Sequence, residues 1–370
     1  MGRCRICGRE SATISSSLRV CIECLRKCPE EALRIAREEH AGSRRLFDLP
    51  PEPPRDPDGI LCGLCANNCR IGDGGKGFCG LVVNENGRLI RLGGTPKRGI
   101  LEWYYDPLPT NCVAEWFCPG CTGAGYPKYA YKPSSEYGFV NLAVFYGACS
   151  FDCLFCQNWH YRNLTMQLHP SLTAEELAEK VNDRVSCICF FGGDPSVQMP
   201  HALKTSKISI EKAERKGRIL RICWETNGNM RREFAIKAAE YSLRSGGIVK
   251  FDLKAWDDNI HRALCGVSNK AALENFRVIG ERFFEKRREI PLLTASTLII
   301  PGYVDAEEVD RIAEFIASIS PEIPYTLLAF YPQYRLNDLP TTSWKQMLEC
   351  KKAAEKYLKR IEIGNVHLLS

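Results

Sequence analysis

The chain has 370 residues, 45% hydrophobic and 25% charged, the balance of a globular protein with room for one large α/β domain and appendages. Lys and Arg exceed Asp and Glu by only six (50 against 44), which argues against a nucleic-acid partner. No run approaches the roughly 18–20 apolar residues of a membrane span, and Met1 to Arg9 lacks an apolar leader core, so a cytoplasmic chain with reduced thiols is expected. Cysteine is the outlier, with 20 residues, fifteen of them between Cys4 and Cys156. Crowded cysteines in a reducing compartment read as metal ligands.

Residues 1–45 form a first unit. Cys4, Cys7, Cys21 and Cys24 stand as C-x2-C-x13-C-x2-C, two knuckles that face each other around a tetrahedral site for zinc or a single rubredoxin-like iron. A unit this small buries little core and needs such a staple. Cys28 is spare, and Pro29, Glu30 and Glu31 predict the start of a helix. Arg3, Arg5, Arg9, Arg26 and Lys27 lend a zinc-knuckle nucleic-acid binder support at this end alone.

Residues 46–58 are a Pro-rich, semi-rigid linker. A Cys-rich region follows at 59–135. Cys62, Cys65, Cys69 and Cys79, with Gly72, Gly74, Gly75 and Gly77 between them, suit either an auxiliary [4Fe–4S] cluster or zinc. Asn86-Gly87 between alternating apolar residues predicts a hairpin. The stretch 93–135 shows no clear period and reads as an ordered connector. Cys112, Cys118 and Cys121 lie in it, too few to close a site. They complete one with a distant cysteine, line the mouth of an active site, or are small buried residues.

From residue 136 the pattern becomes regular. Apolar runs at 139–146, 185–191, 219–224, 248–253, 292–300 and 325–330 alternate with helical stretches, the first opened by a capping box from Thr173 to Glu176. Alternating strand and helix means parallel strands with crossover helices. Six units are too few for a closed eight-fold barrel, so an open, partial (β/α)6 barrel is expected over 136–341, with a C-terminal helix and strand extension at 342–370. Function belongs at the C-terminal ends of the strands. Cys187, Cys189 and Cys223 fall in predicted strands and read as core, Cys265 as loop packing, and Cys350 sits on a helix.

The loop after the first barrel strand reads YGACSFDCLFCQNWH. Cys149, Cys153 and Cys156 are spaced C-x3-C-x2-C, and three thiolates hold three irons of a cubane while leaving the fourth open to bind and activate a ligand. After the second strand comes FFGGDP. Gly192 and Gly193 let backbone approach a ligand closely, and Asp194 can accept from an ammonium group. WETNG follows the third strand and FDLKAWDDNIHRALCGVSN the fourth.

These motifs together resemble the radical S-adenosylmethionine (SAM) superfamily, and within it the pyruvate formate-lyase activating enzymes. CGLCANNCRIGDGGKGFCG, FYPQYRLNDLP and IEIGNVH are similar to the AmmeMemoRadiSam-type members, although Tyr331 stands where those carry histidine. The resemblance spans about residues 60–367. It implies that the open iron chelates the amino and carboxylate groups of SAM, with Phe155 against the adenine. Gly192, Gly193 and Asp194 would meet the amino group and Lys254 the carboxylate. Glu225, Thr226 and Asp252 would hold a small monovalent cation beside Asn227, and His261 is a weaker carry-over for which a helix-surface position is an alternative. Reductive cleavage of SAM would yield a 5′-deoxyadenosyl radical that abstracts hydrogen from a substrate. That substrate would be a glycine in a partner protein, or another protein, a lipid or a small molecule, with ferredoxin or flavodoxin as electron donor. A non-catalytic iron–sulfur electron carrier is the rival from another class. It fits the cysteine density but leaves the three-Cys loop and the GGDP, ETNG and DLK motifs unexplained.

Overall fold

The computed structural model describes residues 1–287 and 289–370. The six long apolar runs all become strands, because β-branched and aromatic residues buried on both faces suit a parallel sheet. The main sheet has nine strands. They are β1 (Gly99–Pro107), β2 (Val140–Tyr146), β3 (Ser171–Leu172), β4 (Val185–Gly192), β5 (Arg221–Thr226), β6 (Val249–Asp252), β7 (Leu293–Ile299), β8 (Tyr325–Ala329) and β9 (Ile361–Gly364). Their order is β9-β8-β7-β6-β5-β4-β2-β1-β3. From β2 to β9 every pairing is parallel, while β1 runs antiparallel to β2 and to β3. The parallel strands follow one another in chain order with β3 set aside at the edge, as an open barrel requires.

Two features extend the expected barrel. The C-terminal strand β9 joins the sheet edge beside β8 as a seventh parallel strand. The aperiodic connector contains the nine-residue strand β1. As an outer strand it is well buried only over Gly99–Leu101, so its sequence lacks a long apolar run.

Helices α1 (Ile22–Lys27) and α2 (Pro29–Arg45) form most of the N-terminal unit, and α2 starts with Pro29 at its first position. Around the barrel lie α3 (Tyr161–Gln167), α4 (Ala174–Glu179), α5 (Met199–Arg215), α6 (Arg232–Ser245), α7 (Asp258–Cys265), α8 (Lys270–Phe283), α9 (Ala306–Ala317) and α10 (Trp344–Ala354). The capping box forms as expected, with reciprocal bonds between Thr173 and Glu176. The hairpin turn also forms, with both Asn86 (φ +52°) and Gly87 (φ +71°) left-handed. No helix among the described residues is long and apolar enough to cross a membrane.

The N-terminal unit docks on the barrel through polar pairs. Tyr303 Oη accepts from Ser15 N (3.0 Å) and donates to Val20 O (2.9 Å). Arg26 forks onto Asp305 at 3.1 and 3.2 Å.

Candidate active site

Strand β2 ends at Tyr146, and the chain turns through Gly147 and Ala148 (φ +69°) into the loop that carries Cys149, Cys153 and Cys156. All three thiols line one cavity of about 150 Å³, with Phe155, Gly192, Gly193, Asp194, Asn227, Asp252 and Lys254 in the same wall. The C-terminal ends of β2, β4, β5 and β6 thus meet here, where a parallel barrel places its loops.

Backbone bonds fix the loop. Gly193 N donates to Tyr146 O (2.7 Å) and Asp194 N to Ala148 O (2.9 Å). A Cβ on Gly193 would lie 2.1 Å from Ala148 O, so only glycine fits. Asp152 N donates to Cys265 O and Leu154 N to Leu264 O, each at 2.9 Å, which ties the loop to the last turn of α7. Asn227 Nδ2 donates to Cys149 Sγ (3.4 Å) and to Ser150 Oγ (3.0 Å).

Three thiols in one cavity, beside a glycine cradle that a single Cβ would fill, fit an iron–sulfur cluster with one open edge. Burial pushes Cys149 and Cys156 up, Cys156 to about 11, and a hydrogen bond with Cys265 followed by burial pushes Cys153 up, so thiolates there call for a cationic centre. The remaining wall suits the amino-acid end of SAM. Asp194 is buried and accepts from Asn227 N (2.6 Å), Ser196 N (2.7 Å) and Thr226 Oγ1 (3.0 Å), as well as from Ser196 Oγ. Burial outweighs these bonds and pushes its carboxyl up to about 6. Lys254 Nζ lies 2.7 Å from Asp252 Oδ2 and 5.8 Å from the Phe155 ring centroid. Burial opposes its charge, but Asp252 and the Cys153 sulfur keep it protonated.

The expected cation trio is split. Glu225 turns into the barrel lumen, where Oε1 pairs with Lys250 Nζ at 2.7 Å. Thr226 turns the other way, onto Asp194, and Asp252 pairs with Lys254 and Ser296. Consecutive strand residues point to opposite faces, which separates Glu225 from Thr226. His261 is buried rather than on a helix surface. Its Nδ1 is 2.7 Å from Val267 O, its ring meets Phe151 edge-on, and burial pushes it down to about 4. Cys265 ends α7 instead of lying in a loop, and its sulfur is 3.6 Å from Cys153 Sγ. Tyr331 is exposed.

The sulfurs of Cys4, Cys7, Cys21 and Cys24 lie within 4.8 Å of one another, with Cys4–Cys24 at 3.7 Å and Cys7–Cys21 at 3.8 Å. A tetrahedron with metal–sulfur bonds of about 2.3 Å has edges of about 3.8 Å, so this donor set fits one ion. Cys62, Cys65, Cys69 and Cys79 share the wall of a second, much smaller cavity of about 10 Å³.

The least legible part of the site is a buried charge network behind the loop. Asp152 is fully buried, with Arg162 Nη2 at 2.7 Å, His40 Nδ1 at 2.9 Å and Arg44 Nη1 at 3.6 Å. Burial would raise its carboxyl, but His40, Arg162 and Arg44 hold it well below the usual range. His40 and Arg44 come from α2, more than a hundred residues upstream, and no local pattern announces such a pairing.

Residues 143–316 match the family described as the radical SAM superfamily. An uncharacterized protein of Methanocaldococcus jannaschii is 26% identical over 318 residues, covering 84% of this chain and 83% of that protein. A putative glycyl-radical enzyme activating enzyme of the same organism is 26% identical over 219 residues, covering 58% of this chain and 76% of its own length. Pyruvate formate-lyase 1-activating enzyme of Escherichia coli is 22% identical over 235 residues, covering 59% and 89%. With three convergent thiols and a glycine cradle at the strand ends, residues 143–316 form a domain of the radical SAM superfamily.

Proposed function

We propose that the chain cleaves SAM reductively and uses the resulting radical to take hydrogen from a carbon of a partner protein, a glycine Cα being the favoured target. The observation that carries the reading is one cavity walled by Cys149, Cys153, Cys156, Gly193, Asp194 and Lys254. A [4Fe–4S] cluster bound there would supply the electron that splits the sulfur–carbon bond of SAM into methionine and a 5′-deoxyadenosyl radical. Asp194 accepts from the SAM amino group, Lys254 neutralises its carboxylate, and Phe155 packs on the adenine. The Gly192-Gly193 backbone permits the approach. The names of two relatives, which activate glycyl-radical enzymes or pyruvate formate-lyase, support the protein target. A ferredoxin or flavodoxin is the fitting donor, and the Cys4 and Cys62 groups are read as metal centres of their own.

The test is anaerobic reconstitution with iron and sulfide, then addition of SAM and a strong reductant. The wild type should release 5′-deoxyadenosine and methionine. Cys153→Ala should release at least about a hundredfold less, since loss of one ligand empties the site. Equal release from both would remove the reading. A glycyl radical signal on a co-purified partner, seen by electron paramagnetic resonance, checks the target.

A further inference from the structure

Below the SAM-facing wall the barrel lumen holds a separate cavity of about 110 Å³. Strand residues two apart face it in turn, with Asn141 and Ala143 from β2, Cys187 and Cys189 from β4, Cys223 and Glu225 from β5, and Lys250 from β6. The connector segment closes it from the other side with Cys112 and Cys118. Residues far apart in sequence therefore bring five thiols to the wall of one cavity. We propose that this lumen is a second thiolate-ligated metal site, built for an iron–sulfur cluster with Cys112, Cys118, Cys189 and Cys223 as its ligands.

Those four are selected by geometry. Cys189 and Cys223 are register partners on neighbouring parallel strands, so their side chains stand side by side. Cys112 reaches the same place from the connector, since Lys250 Nζ lies 3.0 Å from Cys112 Sγ and 3.3 Å from Cys189 Sγ. Cys118 lines the cavity. Cys187 lies two residues before Cys189 on β4 and donates to Asn141 Oδ1 (3.3 Å), and Cys121 donates to Thr110 O (3.7 Å) outside the cavity wall, while Cys112 also reaches Glu225 Oε1 at 3.5 Å.

The charge arrangement favours a cluster over thiols that merely pack. Cysteines used as small apolar residues need no cation, yet a buried ammonium touches two of these sulfurs. Lys250 Nζ also pairs with Glu225 Oε1 at 2.7 Å, so one ammonium is shared between a carboxylate and the two sulfurs. A thiolate-bound cluster is a net anion, which a neighbouring ammonium stabilises. Among the described residues only the Cys4 group gathers three or more ligand atoms within 4.8 Å. No three of the lumen sulfurs therefore stand at the spacing of one four-coordinate ion. The site also lies close to the SAM cavity. Lys250 stands two residues before Asp252 on β6, and Cys189 three before Gly192 on β4, which is roughly 7–10 Å along the strands.

The inference does not rest on SAM cleavage, and its test reads metal. Full-length protein is prepared anaerobically, and iron, sulfide and zinc are counted per chain for the wild type and for Cys112→Ser/Cys189→Ser. The double variant should lose roughly four irons, and the loss should add to that of a variant lacking Cys149, Cys153 and Cys156. Unchanged iron in the double variant, or zinc in place of iron, would overturn the proposal. A second measurement needs no variant. Cys112, Cys118, Cys189 and Cys223 of the wild type should resist alkylation until a chelator strips the iron, then label together. Labelling that is the same before and after stripping would also overturn it.

Discussion

His201 sits in the first turn of α5 with both ring nitrogens committed. Tyr146 Oη donates to Nδ1 (2.8 Å), and Nε2 donates to Leu172 O (3.0 Å). Protonation of Nδ1 would reverse the first bond and charge a buried ring, and burial pushes the ring down to about 4 from an ordinary value of 6.5. The sign follows from linkage. Between about pH 6.5 and 4 the unfolded chain takes up a proton that the folded chain refuses, so the stabilisation is full above 6.5 and drains as pH falls through 4. His261 acts in the same direction, while the Asp194 carboxyl, pushed up to about 6, acts in the opposite one. His201→Gln removes one such proton. Its stability should be lower at pH 7, and its fall between pH 6.5 and 4.5 shallower than wild type by up to about 1.4 kcal/mol per pH unit. Anaerobic denaturant midpoints at several pH values check this. Parallel curves would mean that the folded protein does not keep this ring neutral.

At the scale of elements, the junction next to the candidate site is the one between the cluster loop and the turn after β4. A Cβ on Gly193 meets the Ala148 carbonyl at 2.1 Å, and a carbonyl fixed by the Asp194 amide cannot swing aside cheaply. Gly193→Ala should therefore displace the backbone next to Cys149, with at least about a tenfold loss of SAM affinity and a lower iron content after reconstitution. Equilibrium binding and iron analysis check it. This junction also marks what could be read in advance. The order of the strands, the three-Cys loop and the glycine pair were legible, because each is written in a contiguous run whose spacing has one structural meaning. Strand β1 was not, since its outer position leaves it no long apolar run. The lumen thiols were hidden for a different reason. Cys187 and Cys189 on one strand look like core, and only the register with Cys223 and the return of the connector bring them to Cys112 and Lys250. Asn141, Arg221 and Lys250, polar residues inside apolar runs, were the local hints of a polar lumen.

At the scale of the whole molecule, the N-terminal unit is part of the catalytic barrel's support. His40 spans two elements that frame the cluster loop, with Nδ1 on Asp152 and Nε2 3.0 Å from the Ala263 carbonyl of α7. Arg44, from the same helix, lies 3.6 Å from Asp152 and reaches Phe78 O beside Cys79. One helix thus braces the loop of Cys149, Cys153 and Cys156 and the neighbourhood of the second cysteine group together. Asp152 has no exposure to water, so a partner removed from it is not replaced by solvent. Removing one hydrogen-bond partner of a buried polar group typically costs about 1–3 kcal/mol, and Asp152 retains Arg162 when His40 is lost, which places His40→Ala near the lower end. The expected outcome is a lower thermal midpoint together with faster loss of iron from the barrel under mild chelation. Removal of residues 1–45 takes away both His40 and Arg44 and should be worse than loss of the Cys4 and Cys7 thiols alone. If Cys4→Ser/Cys7→Ser loosens the barrel iron as much as His40→Ala does, the brace acts through the folded knuckle. If it leaves that iron untouched, α2 holds the loop by its own side chains.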